Sequence, residues 1–355
     1  MVIRTHRPSV TDTSEDNAVS GKRPTLADVA TRAGTSTAVV SYVLNNGPRP
    51  VSESLRARVV NALDELNYRP DTRARALRRP RRWQQIGLLV PDLTLPLFGE
   101  FVGRIEIEAR ARDHLTMIGN TGYDPERELE FATAFTEVGV DGLVVIGAAN
   151  ARETAKLCSQ ERVPVVWMHN VRGEVDAEIV GVDHELAGAI VTGHLVDVHH
   201  CSDIAFIGGI TEDDAAHGDL ETVKQRFAGV RGRAGADVTV VPTNLTADGA
   251  YAAVSQFLSG VAHPPQALVV GTFGQASATI RAVTDAGLAV GTEIRVVGFD
   301  GHPHDYGQFD VTAAQQPVET ITARAVARLL DEPTSDDPIA VSLHIGVTCG
   351  CTPQA

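Results

Sequence analysis

The sequence has no long hydrophobic run and little cysteine, and each absence excludes a class of protein. No apolar stretch in the 355 residues approaches the roughly 20 needed to cross a bilayer. The first 21 residues lack the apolar core of a secretory signal, and their polar composition predicts a disordered leader over residues 1–22. Four cysteines are too few for a disulfide framework at this length. We therefore predict a cytoplasmic protein without a membrane partner.

Signature motifs of common enzyme classes are also missing. There is no GxSxG nucleophile elbow, no GxxxxGK[ST] phosphate loop and no HExxH zinc helix. Cys349 and Cys351 form a Cys-x-Cys pair, and His199, His200 and Cys201 are consecutive, but no Cys or His pair has a matching metal-ligand spacing. The triplet is better interpreted as a loop between a helix and a strand. The sequence thus predicts no catalytic residue, no cofactor and no metal site.

What is present begins with two short helices joined by a tight turn, near the N-terminus. Thr25 can cap the first helix, with Asp28 in the capping-box position, and apolar residues follow at helical spacing. Gly34 then stands where a chain leaving a helix often needs positive φ. Ser36 can cap the second helix. An ordinary helical hairpin is the alternative, but this arrangement is typical of the helix-turn-helix that places a recognition helix in the DNA major groove.

The charge of this region favours a DNA-binding helix-turn-helix over an ordinary helical hairpin. A third helix is predicted over Ser52–Asn67, with Ser52 as its cap, which allows three helices to enclose a small core. Residues 22–82 hold 13 Lys and Arg against 5 Asp and Glu, a net charge of +8. The whole chain carries −14, so the remaining residues total −22. A cationic module on an acidic body is typical of phosphate binding confined to one end of a protein.

From Gln85 onward, short apolar runs alternate with amphipathic segments. Such alternation predicts parallel, doubly wound sheets, and about nine strands favour two α/β lobes with a cleft between them. Ligands of open α/β sheets bind outside the carboxyl ends of the strands. Polar residues directly after predicted strands are therefore ligand candidates, with a turn or cap role as the alternative for each: Asp92, Asn120, Asn170, Asp183 and Asp300.

At this point the chain closely resembles the LacI/GalR family of bacterial transcriptional regulators. The resemblance rests on RPTLADVATRAGTSTAVVSYVLN and VSESLRARVVNALDELNYRPDTRARAL in the head, and on IGLLVPDLTLPLF, VDGLVVIG, VGVDHELAG and IRVVGFD in the body. It implies a homodimer, a periplasmic-binding-protein-like core, and control of operator binding by a small-molecule effector. The expected organisation is a leader (1–22), a helix-turn-helix domain (23–69), a hinge helix and linker (70–83), a two-lobed effector-binding and dimerisation core (84–345) and a tail (346–355).

The resemblance also assigns expected DNA contacts. Thr37, Ala38 and Tyr42 match the positions that face base edges. The matching positions for the DNA backbone or adjacent bases are Thr25, Ser36, Asn45 and Tyr68. In the hinge segment, the matching residues are Ala74, Arg75, Leu77 and Arg78. Leu77 corresponds to an apolar wedge pushed between base steps in the minor groove. The implied partner is a near-palindromic operator in the bacterial nucleoid, read by the two heads of a dimer.

In the core, Asp300, Arg226 and Phe98 match effector-binding positions. Thr272 and Phe273 replace an Asn-Asp pair that many relatives carry, residues 211–220 are acidic, and Cys349-Gly350-Cys351 replaces an Arg-x-Ser motif. The effector is accordingly expected to be a sugar or another metabolite, and it could release the operator or be required for binding it. A solute-binding protein, or an enzyme with an appended DNA-binding head, is the alternative function.

Overall fold

The computed structural model describes residues 25–45, 51–66, 68, 85–172, 176, 178–211, 219–300 and 310–352. The chain divides into two compact units, residues 1–81 and residues 82–355. The predicted leader and the predicted hinge helix lie outside the described residues. Within the described ranges, no helix is both long enough and apolar enough to span a membrane.

The described part of the first unit consists of helices α1 (Leu26–Ala33), α2 (Thr37–Asn45) and α3 (Glu53–Glu65). The predicted capping box is present, because the Thr25 N–H donates to the Asp28 carboxylate at 2.7 Å and the Asp28 N–H donates to Thr25 Oγ1 at 3.3 Å. Gly34 ends α1 with a φ of 62°, in the left-handed region that favours glycine. The predicted turn between α1 and α2 is therefore confirmed.

Small and branched side chains fill the centre of this head. The buried residues are Val29, Ala30, Ala33, Val40, Val43, Val59 and Ala62. Ser36 caps α2, since its Oγ accepts from the Val39 N–H at 3.4 Å. Ser52 also stands at the expected cap position before α3, but its side chain makes no capping hydrogen bond. The prediction for α3 is thus correct in place and wrong in the detail of its cap.

The first lobe of the second unit is built on a parallel sheet. Its strands are β1 (Gln85–Val90), β2 (Leu115–Asn120), β3 (Gly142–Ala148), β4 (Val165–Val171) and β5 (Ile179–Val180). Their order is β2-β1-β3-β4-β5. Three helices connect them: α4 (Pro96–Arg110), α5 (Pro125–Val138) and α6 (Ala151–Glu161). All of β3 is buried, as expected for a central parallel strand covered on both faces.

The second lobe repeats this architecture. Its strands are β6 (Ile204–Ile207), β7 (Thr239–Val241), β8 (Ala267–Val270), β9 (Arg295–Phe299), β10 (Thr312–Gln315) and β11 (Ser342–His344). Their order is β11-β10-β9-β8-β6-β7, and only the β10–β11 pair is antiparallel. Its helices are α7 (His184–Gly193), α8 (Leu220–Ala234), α9 (Ala247–Gly260) and α10 (Phe273–Asp285). A single π-helical turn, His194–Val198, continues α7.

The chain passes between the lobes three times in the described residues. It leaves the first lobe between β5 and α7, and it returns between β10 and helix α11 (Val318–Leu329), which packs in the core of the first lobe. It then crosses again to β11 and a short 3-10 turn, Val347–Cys349. Such short crossings can act as hinges when two lobes close on a ligand.

The predicted two-lobed α/β fold is confirmed, and the differences concern short or weakly patterned elements. Strands β6, β8 and β9 are short, buried apolar runs of the kind that predicted them. Strands β10 and β11 were not predicted, because TAAQ and SLH carry too few apolar residues to stand out.

Candidate functional site

The recognition helix presents a polar face to solvent. Thr37 and Ala38 are exposed at the start of α2, while Val40 and Val43 on its other side are buried in the head core. Thr25 and Ser36 are exposed as well, and Tyr42 is half-buried. The first turn of α2 is thus free to enter a groove, which is the geometry that base-edge contacts require.

The other predicted DNA contacts are placed only in part. Tyr68 is half-buried and packs against the head core, and its N–H donates to the Leu63 carbonyl at 2.9 Å. Helix α2 includes Asn45, but its side chain lies outside the described residues, as do Ala74, Arg75, Leu77 and Arg78. Their predicted contacts with DNA stay predictions.

A cavity of about 540 Å³ lies between the two sheets of the second unit. It sits past the carboxyl ends of β1 and β2 in the first lobe and of β8 and β9 in the second, where the ligand of a doubly wound fold is expected. Its described polar and aromatic lining residues are Asp92, Phe98, Tyr123, His169, Asp219, Thr222, Arg226, Thr246, Thr272, Phe273 and Asp300. The predicted candidates Phe98, Arg226 and Asp300 are therefore brought together.

A buried ion pair forms the second-lobe wall of the cavity. Arg226 and Asp300 are each 3% exposed, and Arg226 Nη2 donates to Asp300 Oδ2 at 2.5 Å. Arg226 Nη1 donates to the Gly271 carbonyl at 2.9 Å, and the guanidinium lies 4.3 Å above the centre of the Phe299 ring. Gln316 donates to the other Asp300 oxygen at 2.7 Å. The carboxylate is thereby held in one orientation.

Strained backbone positions gather at the same cavity. Four non-glycine lining residues have positive φ: Tyr123 (58°), His169 (68°), Leu245 (63°) and Asp300 (61°). Each such residue costs on the order of 1–3 kcal/mol and persists only where the surrounding structure fixes it. Their concentration around one cavity is typical of a ligand site.

A second polar cluster joins the two lobes across the cavity. His169 on β4 of the first lobe lies 2.9 Å from Asp219, which caps α8 of the second lobe. Thr222 also donates to Asp219 Oδ2 through its hydroxyl and to Oδ1 through its N–H. Burial opposes ionisation of Asp219, but the hydrogen bond from His169 and its charge, with those from Thr222, hold the pKa of this carboxyl well below its usual range.

A further histidine and a tyrosine extend this cluster. The His184 ring, at the start of α7, stands edge-on to the His169 ring with centroids 4.8 Å apart. Burial, followed by the charge of His169, holds the pKa of His184 well below its usual value, so its imidazole is neutral. Burial and then the charge of Asp219 raise the pKa of Tyr123. His169, His184 and Tyr123 were not predicted as site residues, because nothing in their spacing along the sequence indicates that they lie together.

The ligand candidates after strands divide between the two roles considered for them. Asp92 and Asp300 line the cavity. Asp183 is instead the cap of α7, accepting from the Leu186 N–H at 2.8 Å, and Asn170 donates to the Thr222 hydroxyl at 3.1 Å. Asn120 ends β2, and with the oxygen and nitrogen of its side-chain amide exchanged it donates to the Val90 and Pro91 carbonyls at the end of β1. Thr272 and Phe273 line the cavity where many relatives have Asn-Asp.

The described residues also contain one group able to hold a metal ion. His194, His199, Cys349 and Cys351 each offer one ligand atom, and the four atoms lie within 4.8 Å of one another. Sequence reasoning rejected a metal site here because it considered spacing along the chain, whereas folding joins segments about 155 residues apart. The triplet from His199 does form the predicted loop, between the π-turn and β6.

A helix-turn-helix head joined to a two-lobed core with a ligand-sized cleft defines a ligand-responsive DNA-binding protein. Comparisons with known proteins support this class. Residues 25–71 match the model of bacterial regulatory proteins of the lacI family, and residues 192–350 match a periplasmic binding protein-like domain. The chain belongs to the LacI family of transcriptional regulators.

Curated relatives cover nearly the whole chain. The HTH-type transcriptional repressor PurR of Pectobacterium carotovorum is 30% identical over 329 residues, which are 90% of this chain and 94% of that protein. Catabolite control protein A of Priestia megaterium is 27% identical over 90% of this chain and 96% of its own. The ribose operon repressor of Escherichia coli is 31% identical over 281 residues, which are 78% of this chain and 82% of that protein. These relatives are regulators rather than enzymes.

Solved structures share the fold. A lac repressor dimer bound to operator and the anti-inducer ONPF has a TM-score of 0.69 at 24% identity, covering 92% of this chain and 99% of that one. A LacI-family regulator from Silicibacter pomeroyi has a TM-score of 0.71 at 21% identity, with the same coverage. At these identities the likeness concerns architecture alone.

Proposed function

We propose that this chain is a transcriptional repressor whose affinity for operator DNA is controlled by a small molecule bound between the lobes. The observation that carries the proposal is the buried Arg226–Asp300 pair lining a cavity of about 540 Å³, in a chain that also carries a helix-turn-helix head. The protein acts as a homodimer on a near-palindromic operator. A lac repressor dimer bound to operator, which shares its fold, supports this assembly. It works in the bacterial cytoplasm, at the nucleoid.

The charge of the cavity narrows the class of effector. Among the described lining residues, the carboxylates Asp92, Asp219 and Asp300 face one guanidinium, Arg226, and one imidazole, His169. Such a site repels anions, so we propose a neutral polyhydroxy compound or a cationic metabolite rather than a phosphate or a carboxylate. Aromatic residues of the lining offer apolar faces to ring or methylene groups. The ligand is bound and released unchanged, so the chain is not an enzyme.

The contact between His169 and Asp219 gives the control its physical basis. Because it joins β4 of the first lobe to the cap of α8 in the second, a ligand that contacts it favours one degree of lobe closure over another. Different affinities for two states are what shift an equilibrium, and the coupling is reciprocal between effector and operator. The hinge residues Ala74, Arg75, Leu77 and Arg78 are the proposed element whose order changes.

A ligand screen followed by DNA binding tests the proposal. A thermal-shift screen of sugars, nucleosides and amines on the full chain should give hits, since a ligand at 100 times its Kd adds about 2.7 kcal/mol of stability. Each hit should then change affinity for an operator selected from random DNA, and the direction distinguishes induction from corepression. Asp300→Asn keeps the shape of the side chain and should abolish the response. Stabilising hits that leave operator affinity unchanged would contradict effector control.

The head is tested separately. Affinity for the selected operator should fall steeply as salt rises, because phosphate contacts release counterions. Leu77→Ala should weaken operator binding more than binding to random DNA, while Thr37→Ala should relax preference at one base pair by about 1–3 kcal/mol. Glu53→Gln, an exposed change at the start of α3, serves as the control. Equal losses on operator and random DNA would remove the base-reading role of these residues.

A further inference from the structure

We propose that His194, His199, Cys349 and Cys351 form a four-coordinate zinc site that fastens the C-terminal segment to the π-turn of the second lobe. This site lies outside the effector cavity, and none of its residues lines that cavity. The inference therefore stands independently of the proposed repressor function.

Four of the six distances between the donor atoms are close to the edges of a zinc tetrahedron. With Zn–N near 2.05 Å and Zn–S near 2.3 Å, a tetrahedron has edges of about 3.3 Å between two nitrogens and about 3.6 Å between nitrogen and sulfur. The Nε2 atoms of His194 and His199 are 3.2 Å apart. The nitrogen–sulfur separations are 3.3 Å for His194–Cys349, 3.6 Å for His194–Cys351 and 3.3 Å for His199–Cys351. All six pairs of donor atoms lie within 4.8 Å, so the four donors converge on one point.

Local backbone geometry explains how both histidines reach this point. A π-helix closes its hydrogen bonds between residues five apart, so its turns bring residues i and i+5 near one face. His194 begins the π-turn and His199 follows it, five positions later. In an α-helix the same spacing would turn the two side chains well apart. Single π-turns are frequently found at functional sites.

The Cys-x-Cys segment is shaped by the glycine between its cysteines. Gly350 has a φ of 90°, and a Cβ there would lie 2.1 Å from the Gly291 carbonyl oxygen, so only glycine fits. On either side of it, Cys349 Sγ and Cys351 Sγ lie 3.3 Å and 3.6 Å from His194 Nε2. The segment is also tied to β10, where the Thr312 N–H donates to Thr348 Oγ1 at 3.0 Å.

Hydrogen bonding alone does not satisfy this cluster. His194 Nε2 lies within contact of three partners, His199 Nε2 and the two sulfurs. A neutral imidazole nitrogen either donates one proton or accepts at one lone pair, so it serves one of these contacts at a time. A cation at the centre uses one lone pair from every donor. Two sulfurs and two nitrogens in a tetrahedral arrangement favour zinc among common metals.

The surroundings keep the donors suited to a metal. Cys349 is fully buried and His194 is 7% exposed, while His199 and Cys351 are half-buried. Four protein ligands leave no open position, which is typical of a structural rather than a catalytic zinc site.

Metal analysis of the untagged full chain, purified under reducing conditions, is the direct test. We expect one zinc per chain, and after chelation we expect Co²⁺ to give the absorption bands of a tetrahedral ion with a thiolate-to-metal charge-transfer band. Added Zn²⁺ should abolish those bands. A reduced, folded chain that takes up neither Zn²⁺ nor Co²⁺ would overturn the proposal, as would a native Cys349–Cys351 disulfide whose reduction restores no metal uptake.

Variants assign the ligands. Cys351→Ser and His199→Gln should each weaken zinc binding by more than about 100-fold, the upper range for losing even an outer partner of a metal ligand. Cys201→Ser is the matched control, because Cys201 is buried beside the cluster but is not one of its four donors. It should bind zinc as the wild type does. If Cys351→Ser does not fold, the zinc affinity of His199→Gln and the cobalt spectrum of the wild type still test whether the cluster binds metal. Wild-type zinc affinity in both ligand variants would contradict the assignment.

Discussion

The effector cavity and the His-Cys cluster lie toward opposite ends of helix α7, and they satisfy their buried polar groups in opposite ways. At the N-terminal end, His184 stands beside His169, and in the cavity each buried carboxylate meets a positive or hydrogen-bonding partner. At the other end, four donors of electron pairs meet each other. The buried carboxylates Asp219 and Asp300 of the cavity have ionic partners without a ligand, whereas the cluster lacks a cation at its centre.

This difference teaches what each site needs in order to be stable. A buried ion pair is costly to break, because removing one partner leaves an uncompensated charge in a medium of low dielectric constant. Converging imidazoles and thiols carry no such charge until a metal displaces the thiol protons. We therefore expect the stability of the cavity wall to depend on its own residues, and that of the cluster to depend on metal concentration.

The largest effect is expected from breaking the cavity pair. Arg226→Ala leaves Asp300 buried without its cation and should lower the free energy of unfolding by about 3–5 kcal/mol in urea titrations. Arg281→Ala is the control, because its contact with Asp285 at 3.6 Å is exposed on both sides. It should cost less than about 1 kcal/mol. Similar losses in the two variants would show that the buried Arg226–Asp300 pair contributes no more to stability than an exposed pair does.

A smaller effect is expected from emptying the cluster. Zinc at 100 times its Kd should add about 2.7 kcal/mol, so chelation should lower Tm by about 5–10 °C in a unit of this size. Hydrogen exchange should report the loss first in residues 346–352, which the cluster fastens. In Cys351→Ser the chelator should have no effect on Tm. A chelator effect of equal size in that variant would place the responsible metal elsewhere.

The two sites also differ in how far the sequence could predict them. Arg226 and Asp300 were expected from the family resemblance, and Asp300 also from its place directly after an apolar strand. His169 and Asp219 lie 50 positions apart on different lobes, and only the folded cleft brings them within 2.9 Å. The predicted helices and strands did not include the π-turn, since hydrophobic periodicity does not distinguish one wider turn from the end of an α-helix.

The strands that were predicted differ from the others in the number of large apolar residues that they carry. Strands such as β8, buried over its whole length, appear in the sequence as short continuous apolar runs. Strand β10 buries Thr312, Ala313 and Ala314, and these small side chains give no such signal. Its position is fixed by pairing with β9 and by the C-terminal segment. Tertiary contacts, rather than local preference, therefore decide this edge of the sheet.

His184 should make the free energy of unfolding depend on pH, by up to about 1.4 kcal/mol per pH unit. Burial holds its pKa well below that of the unfolded chain, so below about pH 6.5 the unfolded state binds a proton that the folded state does not. Stability is therefore present above that pH and falls as pH decreases. Urea titrations at several pH values from 5 to 8 should show that the free energy of unfolding changes less with pH in His184→Phe than in the wild type. The same substitution at the exposed His263 should leave the slope unchanged. An unchanged slope in His184→Phe would assign the pH dependence to other groups.

The smallest effect is expected from removing the exposed ion pair next to the proposed zinc site. Asp197 lies within the π-turn and pairs with Arg233 on α8, and both side chains are substantially exposed. Exposed pairs contribute about 0–1 kcal/mol and are screened by salt, so Arg233→Ala should shift Tm by at most about 4 °C, with the shift vanishing at high salt. Zinc content and effector affinity should stay at wild-type values, because neither site uses this contact. If Arg233→Ala instead released the zinc, the π-turn would be held in shape by its surface pair. The sites at both ends of α7 would then depend on ion pairs for their shape, and the contrast between them would be smaller.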